Sequence, residues 1–201
     1  FDPTETGVII WTRYSVGSDA EITWELSKDA GFSQIVRKGQ AAASSINDFT
    51  IAVDVQNITS NTKYYYRFYN AKTKQVTVIG ETRTLPSKAD SVNDVKMAVV
   101  SCSNFPAGLF NVYGAIASSD ADVVVHLGDY IYEYAPGQYG TNPFTNSLGR
   151  EHKPAREILS LGDYRERYRQ YRGDKNLQLL LQKKPFICVW DDHEFANDTY
   201  K

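Results

Sequence analysis

The chain has 201 residues, enough for one large domain or two small ones with a sizeable core. Lys and Arg number 22 against 24 Asp and Glu, a net charge near −2, which argues against a nucleic-acid-binding surface with its usual basic excess. No run approaches the ~18 apolar residues of a transmembrane helix, and two cysteines, Cys102 and Cys188, are too few for a disulfide scaffold.

Residues 1–84 read as β structure. "GVIIWTRY" (7–14), "EITWELS" (21–27), "QIVRKGQ" (34–40), "FTIAVDV" (49–55), "KYYYRFY" (63–69) and "QVTVIGETRT" (75–84) are short runs rich in β-branched and aromatic residues. Many alternate apolar and polar positions, as half-buried strands do. Turn signals such as "GSD", "KDAG", "SNT" and "NAKTK" separate them. Closely spaced strands without helical patterns predict a β-sandwich of immunoglobulin or fibronectin III style, with Trp11, Trp24 and the tyrosine-rich run packing its core. "LPSKADSVND" (85–94) reads as a linker.

After it the pattern changes. "VKMAVVSCS" (95–103), "ADVVVHLGD" (121–129) and "PFICVWDD" (185–192) read as strands buried on both faces of a sheet. "AGLFNVYGAIASSD" (107–120) has Leu109, Val112 and Ile116 on helical spacing. Residues 135–163 read as an inserted loop, and "YRERYRQYRGDKNLQLLLQKK" (164–184) as helix broken near Gly173. Strand, helix, strand, helix, strand is a βαβ series with parallel strands. The expected division is 1–84, a linker 85–94, and 95–201.

Ligands of open α/β sheets bind at the carboxyl ends of the strands. The three strands deliver Cys102 with Ser101, Ser103 and Asn104; then Asp129, Tyr130, Tyr132 and Glu133; then Asp191, Asp192, His193, Glu194, Asn197 and Asp198. A thiolate, carboxylates, a phenol and an imidazole on one edge suit a metal. Oxygen donors fit hard cations, and Cys and Tyr add a preference for a transition metal such as iron. His126, inside "VVVHLG", reads as a core histidine, and His152, in "GREHKPAR", as solvated. For "RERYRQYR" a solvated helix face is favoured over a phosphate-binding patch.

At "HLGDYIYEY" and "VWDDHEFAN" the chain resembles the PhoD-like alkaline phosphatases and phosphodiesterases of the calcineurin-like metallophosphatase superfamily. "FDPTETGVIIWTR" and "VSCSN" agree with that resemblance. It implies iron together with calcium around a phosphate ester. It also implies Cys102, Asp129 and Tyr132 as iron ligands, Asp129 bridging to a second metal, and Asp192 and Asn197 as ligands there. His193 would touch the phosphate or protonate the leaving oxygen. The resemblance further implies the first half of an α/β metallophosphatase domain after the sandwich, and a secreted, periplasmic or cell-surface location. The chain starts without Met or signal peptide and stops at Lys201, so it is expected to be part of a longer enzyme, inactive or insoluble alone. Two alternatives remain: a purple-acid-phosphatase-like enzyme, in which Cys102 would be unusual, and a non-enzymatic surface binding module. Metal retention separates the last from the enzymes.

Overall fold

The computed structural model describes residues 1–14 and 17–199. The chain divides into two compact units. One comprises Phe1–Val95 with Gln182–Phe186, the other Lys96–Leu181 with the residues from Ile187 onward.

The first unit is antiparallel β. Strand β1 (Gly7–Arg13) pairs with β4 (Thr50–Gln56) in a two-stranded sheet. A four-stranded sheet runs β3 (Ile35–Ala43), β2 (Ala20–Ser27), β5 (Lys63–Tyr69), β6 (Gly80–Arg83). The period-2 pattern does its ordinary work here. Val8, Ile10, Ile22, Leu26, Ile51, Val55, Tyr64 and Phe68 turn inward from both sheets and form one apolar cluster. Trp24 and Tyr66 pack against it, half-buried. The last expected strand is shorter than its sequence run. Val76 makes only an isolated bridge to Tyr69, and regular pairing resumes at Gly80.

A three-stranded sheet is ordered β7 (Met97–Val100), β8 (Val123–His126), β9 (Phe186–Cys188), with β7 and β8 parallel; β7, β8 and β9 from Ile187 belong to the second unit. Helices α1 (Asn111–Ser118), α2 (Leu161–Arg172) and α3 (Lys175–Lys183) accompany it. Three expectations need correction. Strands β7 and β9 are not buried on both faces: Met97 is 62% and Val99 58% exposed, and Trp190, just past β9, is 81% exposed. A strand sends alternate side chains to opposite faces, and the described residues cover only one of them. Helix α1 starts late, at Asn111, and buries Tyr113, while Leu109 and Val112 face solvent. Helix α2 begins at Leu161, earlier than its apolar pattern suggests, because Ser160 caps it. Ser160 Oγ accepts from Asp163 N, and the Asp163 carboxylate accepts from Ser160 N.

A candidate metal centre at the strand tips

The tips of β7 and β8 are zipped by backbone hydrogen bonds. Cys102 N donates to Gly128 O at 3.2 Å, and Ser103 N donates to Asp129 O at 2.8 Å. Beneath them His126 is fully buried, with Nε2 3.0 Å from Ser103 Oγ and 3.1 Å from Tyr113 Oη. Its Nδ1 accepts from Gly128 N, so the same ring steadies the turn that follows β8. Burial pulls the His126 pKa down to about 4, so it stays neutral at pH 7. His126 is therefore a core histidine, as its apolar neighbours suggest.

The turn itself is tight. Gly128 has φ +104, and a Cβ there would come within 2.6 Å of Asp191 N, so the β8 and β9 tips meet at a position only glycine fits. The next residue, Asp129, has φ +54, and Cys102 has φ +58. Both lie in the left-handed region, which Asp adopts more readily than Cys.

Glu194 holds this turn in place. It is buried, and its carboxylate accepts from Asp129 N at 3.0 Å, from Asp191 N at 2.7 Å and from Tyr130 N. A second buried acid, Glu133, accepts from His193 Nδ1 at 2.9 Å and from Asn197 N at 2.8 Å. With Nδ1 donating to Glu133, Nε2 is the His193 nitrogen left for a ligand or a proton.

Asp129, Asp192 and His193 each offer a ligand atom, and these atoms lie within 4.8 Å of one another. Tyr132, buried, donates its hydroxyl to Asp129 Oδ2 at 3.0 Å. Burial first, then that hydrogen bond and the nearby Cys102 side chain, raise the Tyr132 pKa. The Asp192 carboxyl is held below its usual value, chiefly by the backbone N–H of Asp198. Asp129 Oδ1 is buried without a hydrogen-bond partner. A buried carboxylate oxygen left unpaired is costly, and here it belongs to a cluster with two further ligand atoms. The donor set, carboxylate oxygens with an imidazole nitrogen, fits a divalent or trivalent cation.

Of the residues named from sequence, Asp129, Tyr132, Asp192 and His193 come together here. Cys102 is exposed and not disulfide-bonded, as is Cys188. Its side chain reaches the Tyr132 neighbourhood and is not within the triad. Asn197 is exposed, and its side-chain amide donates to Asp198 at 3.0 Å. Glu133 and Glu194 were visible at the strand tips but had no role assigned. Two readings are overturned. His152 is not solvated; it is 2% exposed, with Nδ1 on Tyr134 O and Nε2 on Tyr171 Oη, both at 2.9 Å. The "RERYRQYR" segment is not simply a solvated face. Arg167 is fully buried and donates to the carbonyls of Tyr132, Tyr134 and Lys153, bracing the segment that carries Tyr132 and Glu133.

An antiparallel β unit followed by an α/β unit with a candidate metal-binding triad at its strand tips defines the class, a two-part protein with its ligand site at a sheet edge. The particular family follows from comparison. The model for PhoD-like phosphatase matches residues 97–201, and that for the PhoD-like phosphatase N-terminal domain matches residues 2–86. The chain belongs to the PhoD-like phosphatase family. It is similar to alkaline phosphatase D of Bacillus subtilis (strain 168), at 35% identity over 206 residues, covering 98% of this chain and 34% of that protein. A solved structure titled "Structure of PhoD" matches with a TM-score of 0.90 at 35% identity, covering 98% of this chain and 38% of that one. The chain thus spans little more than a third of the length of these relatives.

Proposed function

We propose that this chain carries part of the active site of a metal-dependent phosphoric ester hydrolase. The observation that carries the reading is the unpaired, buried Asp129 Oδ1 within the Asp129–Asp192–His193 cluster, on the tight turn that follows β8. Kinship with alkaline phosphatase D supports a phosphatase-type reaction.

Asp129 and Asp192 would hold metal, with Tyr132 and Cys102 completing one side and Asn197 a further ligand from the last segment. Iron and calcium are the metals this reading names. Bound metal would lower the pKa of a water and offset the charge of the phosphoryl oxygens. The chain's own residues do the rest. Glu133 fixes the His193 ring and leaves Nε2 to contact the phosphoryl group or give a proton to the leaving oxygen. Glu194 keeps Asp129 aimed into the cluster. In the same reading the first unit is an immunoglobulin- or fibronectin-like sandwich, the second is the opening half of a metallophosphatase domain, and the location is exported or at the cell surface.

The test is elemental analysis of the longest natural chain that contains residues 1–201. About one equivalent or more of metal, lost in Asp129→Asn and reduced in Cys102→Ala with the fold intact by circular dichroism, supports the reading. A folded wild-type protein without metal and without activity on phosphate esters rejects it in favour of a binding module.

A further inference from the structure

We propose that Tyr139, backed by Tyr134, is a stacking platform that makes this site favour phosphate esters whose leaving group presents a flat face, aryl esters foremost. The inference rests on the phosphoesterase reading and adds a substrate class to it.

Four rings run without a break from the candidate catalytic histidine to solvent. The Tyr132 ring lies against His193, with centroids 4.3 Å apart and planes at 36°. The Tyr134 ring lies 5.5 Å from His193. The Tyr139 ring lies 5.8 Å from both Tyr132 and Tyr134. Burial changes steeply along this path: Tyr132 is 3% exposed and Tyr139 is 63% exposed. Tyr132 is buried and Tyr134 only partly exposed, so the ring with an open face is that of Tyr139.

The platform is fixed rather than loosely draped. Asn104, at the tip of β7, donates from Nδ2 to Tyr139 O at 3.4 Å. Gly140 follows at φ +86, and a Cβ there would fall 2.2 Å from Asn104 Oδ1, so the turn sits directly on that side chain. Within the turn, Ala135 N donates to Gln138 Oε1 and Thr141 N to Gln138 O, both at 3.0 Å. A tyrosine on a built turn loses little rotamer freedom when it stacks. Such a ring discriminates by shape. An aryl leaving group can lie offset on it, whereas a flexible alkyl chain covers it poorly and loses entropy in doing so. The attraction acts on the leaving group in ground and transition states alike, so it should appear mainly in KM.

The experiment compares phenyl phosphate with n-butyl phosphate in the longest natural chain containing residues 1–201, for wild type, Tyr139→Ala and Tyr139→Phe. Comparing each variant with wild type on the same ester cancels that ester's intrinsic reactivity. Tyr139→Ala should lower kcat/KM for phenyl phosphate about tenfold, through KM, and leave n-butyl phosphate within about twofold. Tyr139→Phe should retain both, since the face is preserved. An equal loss on both esters, or no loss on either, overturns the platform while leaving the phosphoesterase reading in place. If wild type is inactive on both monoesters, the same comparison is made with diphenyl and di-n-butyl phosphate; a wild type that hydrolyses none of the four overturns both.

Discussion

In the β unit the deepest residues include Val8, Ile10, Ile22, Leu26, Ala43, Tyr64 and Phe68, an apolar cluster between paired strands, joined by the small hydroxyl residues Ser27 and Thr84. In the α/β unit the buried set includes His126, Asp129, Glu133, Arg167, His193 and Glu194. The first unit is stabilised chiefly by removing apolar area from water, which tolerates exchange among residues of similar volume. The second spends much of its interior on polar networks, where each member must find its partner. Gly128, Cys102 and Asp129 also hold positive φ at the sheet edge that carries the candidate site, although the first unit has left-handed residues of its own, among them Phe32, Asp48 and Phe49.

Conservative replacements should break the symmetry between the units most visibly. Arg167→Met would strand the carbonyls of Tyr132, Tyr134 and Lys153 in a buried setting and should cost about 3–5 kcal/mol. Arg167→Lys should recover little, because one ammonium cannot span three diverging carbonyls. In the β unit, Leu26→Ala should cost about 2–5 kcal/mol, yet Leu26→Met should cost less than about 1.5 kcal/mol. Urea unfolding of the four variants is the measurement. An Arg167→Lys variant as stable as wild type would break the comparison.

Acid should also separate the units, because all three histidines lie in the second. Burial lowers the pKa of His126 to about 4 and of His152 to about 3, from an ordinary 6.5. Below pH 6.5 the unfolded chain takes up these protons and the native chain does not. Stability should therefore fall as pH drops from about 6.5, down to about 4 for His126 and about 3 for His152. The slope is about 1.4 kcal/mol per pH unit for each group. At pH 5 that amounts to about 2 kcal/mol for each histidine. His152→Gln, whose amide keeps a donor and an acceptor but does not titrate, should flatten the decline. Denaturation midpoints at pH 7, 6 and 5 test this, and an unchanged slope in the variant would reject it.

How much of this was legible beforehand follows the same divide. The alternation in "GVIIWTR", "EITWELS" and "KYYYRFY" marks β1, β2 and β5 because half-buried strands write period 2 directly into sequence. The strand-tip acids were legible because topology sends them to one edge. What stayed hidden depends on partners distant in sequence. Nothing near His152 announces Tyr134 and Tyr171, and nothing near Arg167 announces three carbonyls some 14–35 positions away. Apolar runs misled in β7 and β9, since composition does not say which face will be covered.

Glu194 offers a gentler probe of the site. Glu194→Gln keeps the size of the side chain but turns an N–H₂ group toward backbone N–H donors of Asp129, Tyr130 or Asp191. Supports of this kind typically govern metal affinity by 10–100-fold. Calorimetric titration with Mn²⁺ should show a loss in that range, with the fold retained by circular dichroism. Equal affinity in variant and wild type would reduce Glu194 to packing.

The smallest effect belongs to the cap of α2, and it tests whether local helix signals act independently of the site. "SLGD" at 160–163 has the serine and acid at capping-box spacing, and both reciprocal bonds form, at 3.2 and 3.0 Å. Asp163 also meets Arg156 Nη2 at 2.6 Å, and its pKa is lowered chiefly by the Ser160 backbone N–H. Its contribution is therefore present above the ordinary carboxyl range and lost as pH falls below that range toward the lowered native value. Ser160→Ala should cost about 1 kcal/mol, and Ser160→Asp should restore most of it, because an Asp side chain accepts the same bond and favours the helix N-terminus. Thermal melts read the stability and Mn²⁺ titration reads the site. If the cap is only a cap, Ser160→Ala lowers the melting temperature and leaves metal affinity alone. A fall in affinity approaching that of Glu194→Gln would mean that α2 passes its strain through Arg167 into the Tyr132–Tyr134 segment, and the helix would then count as part of the site.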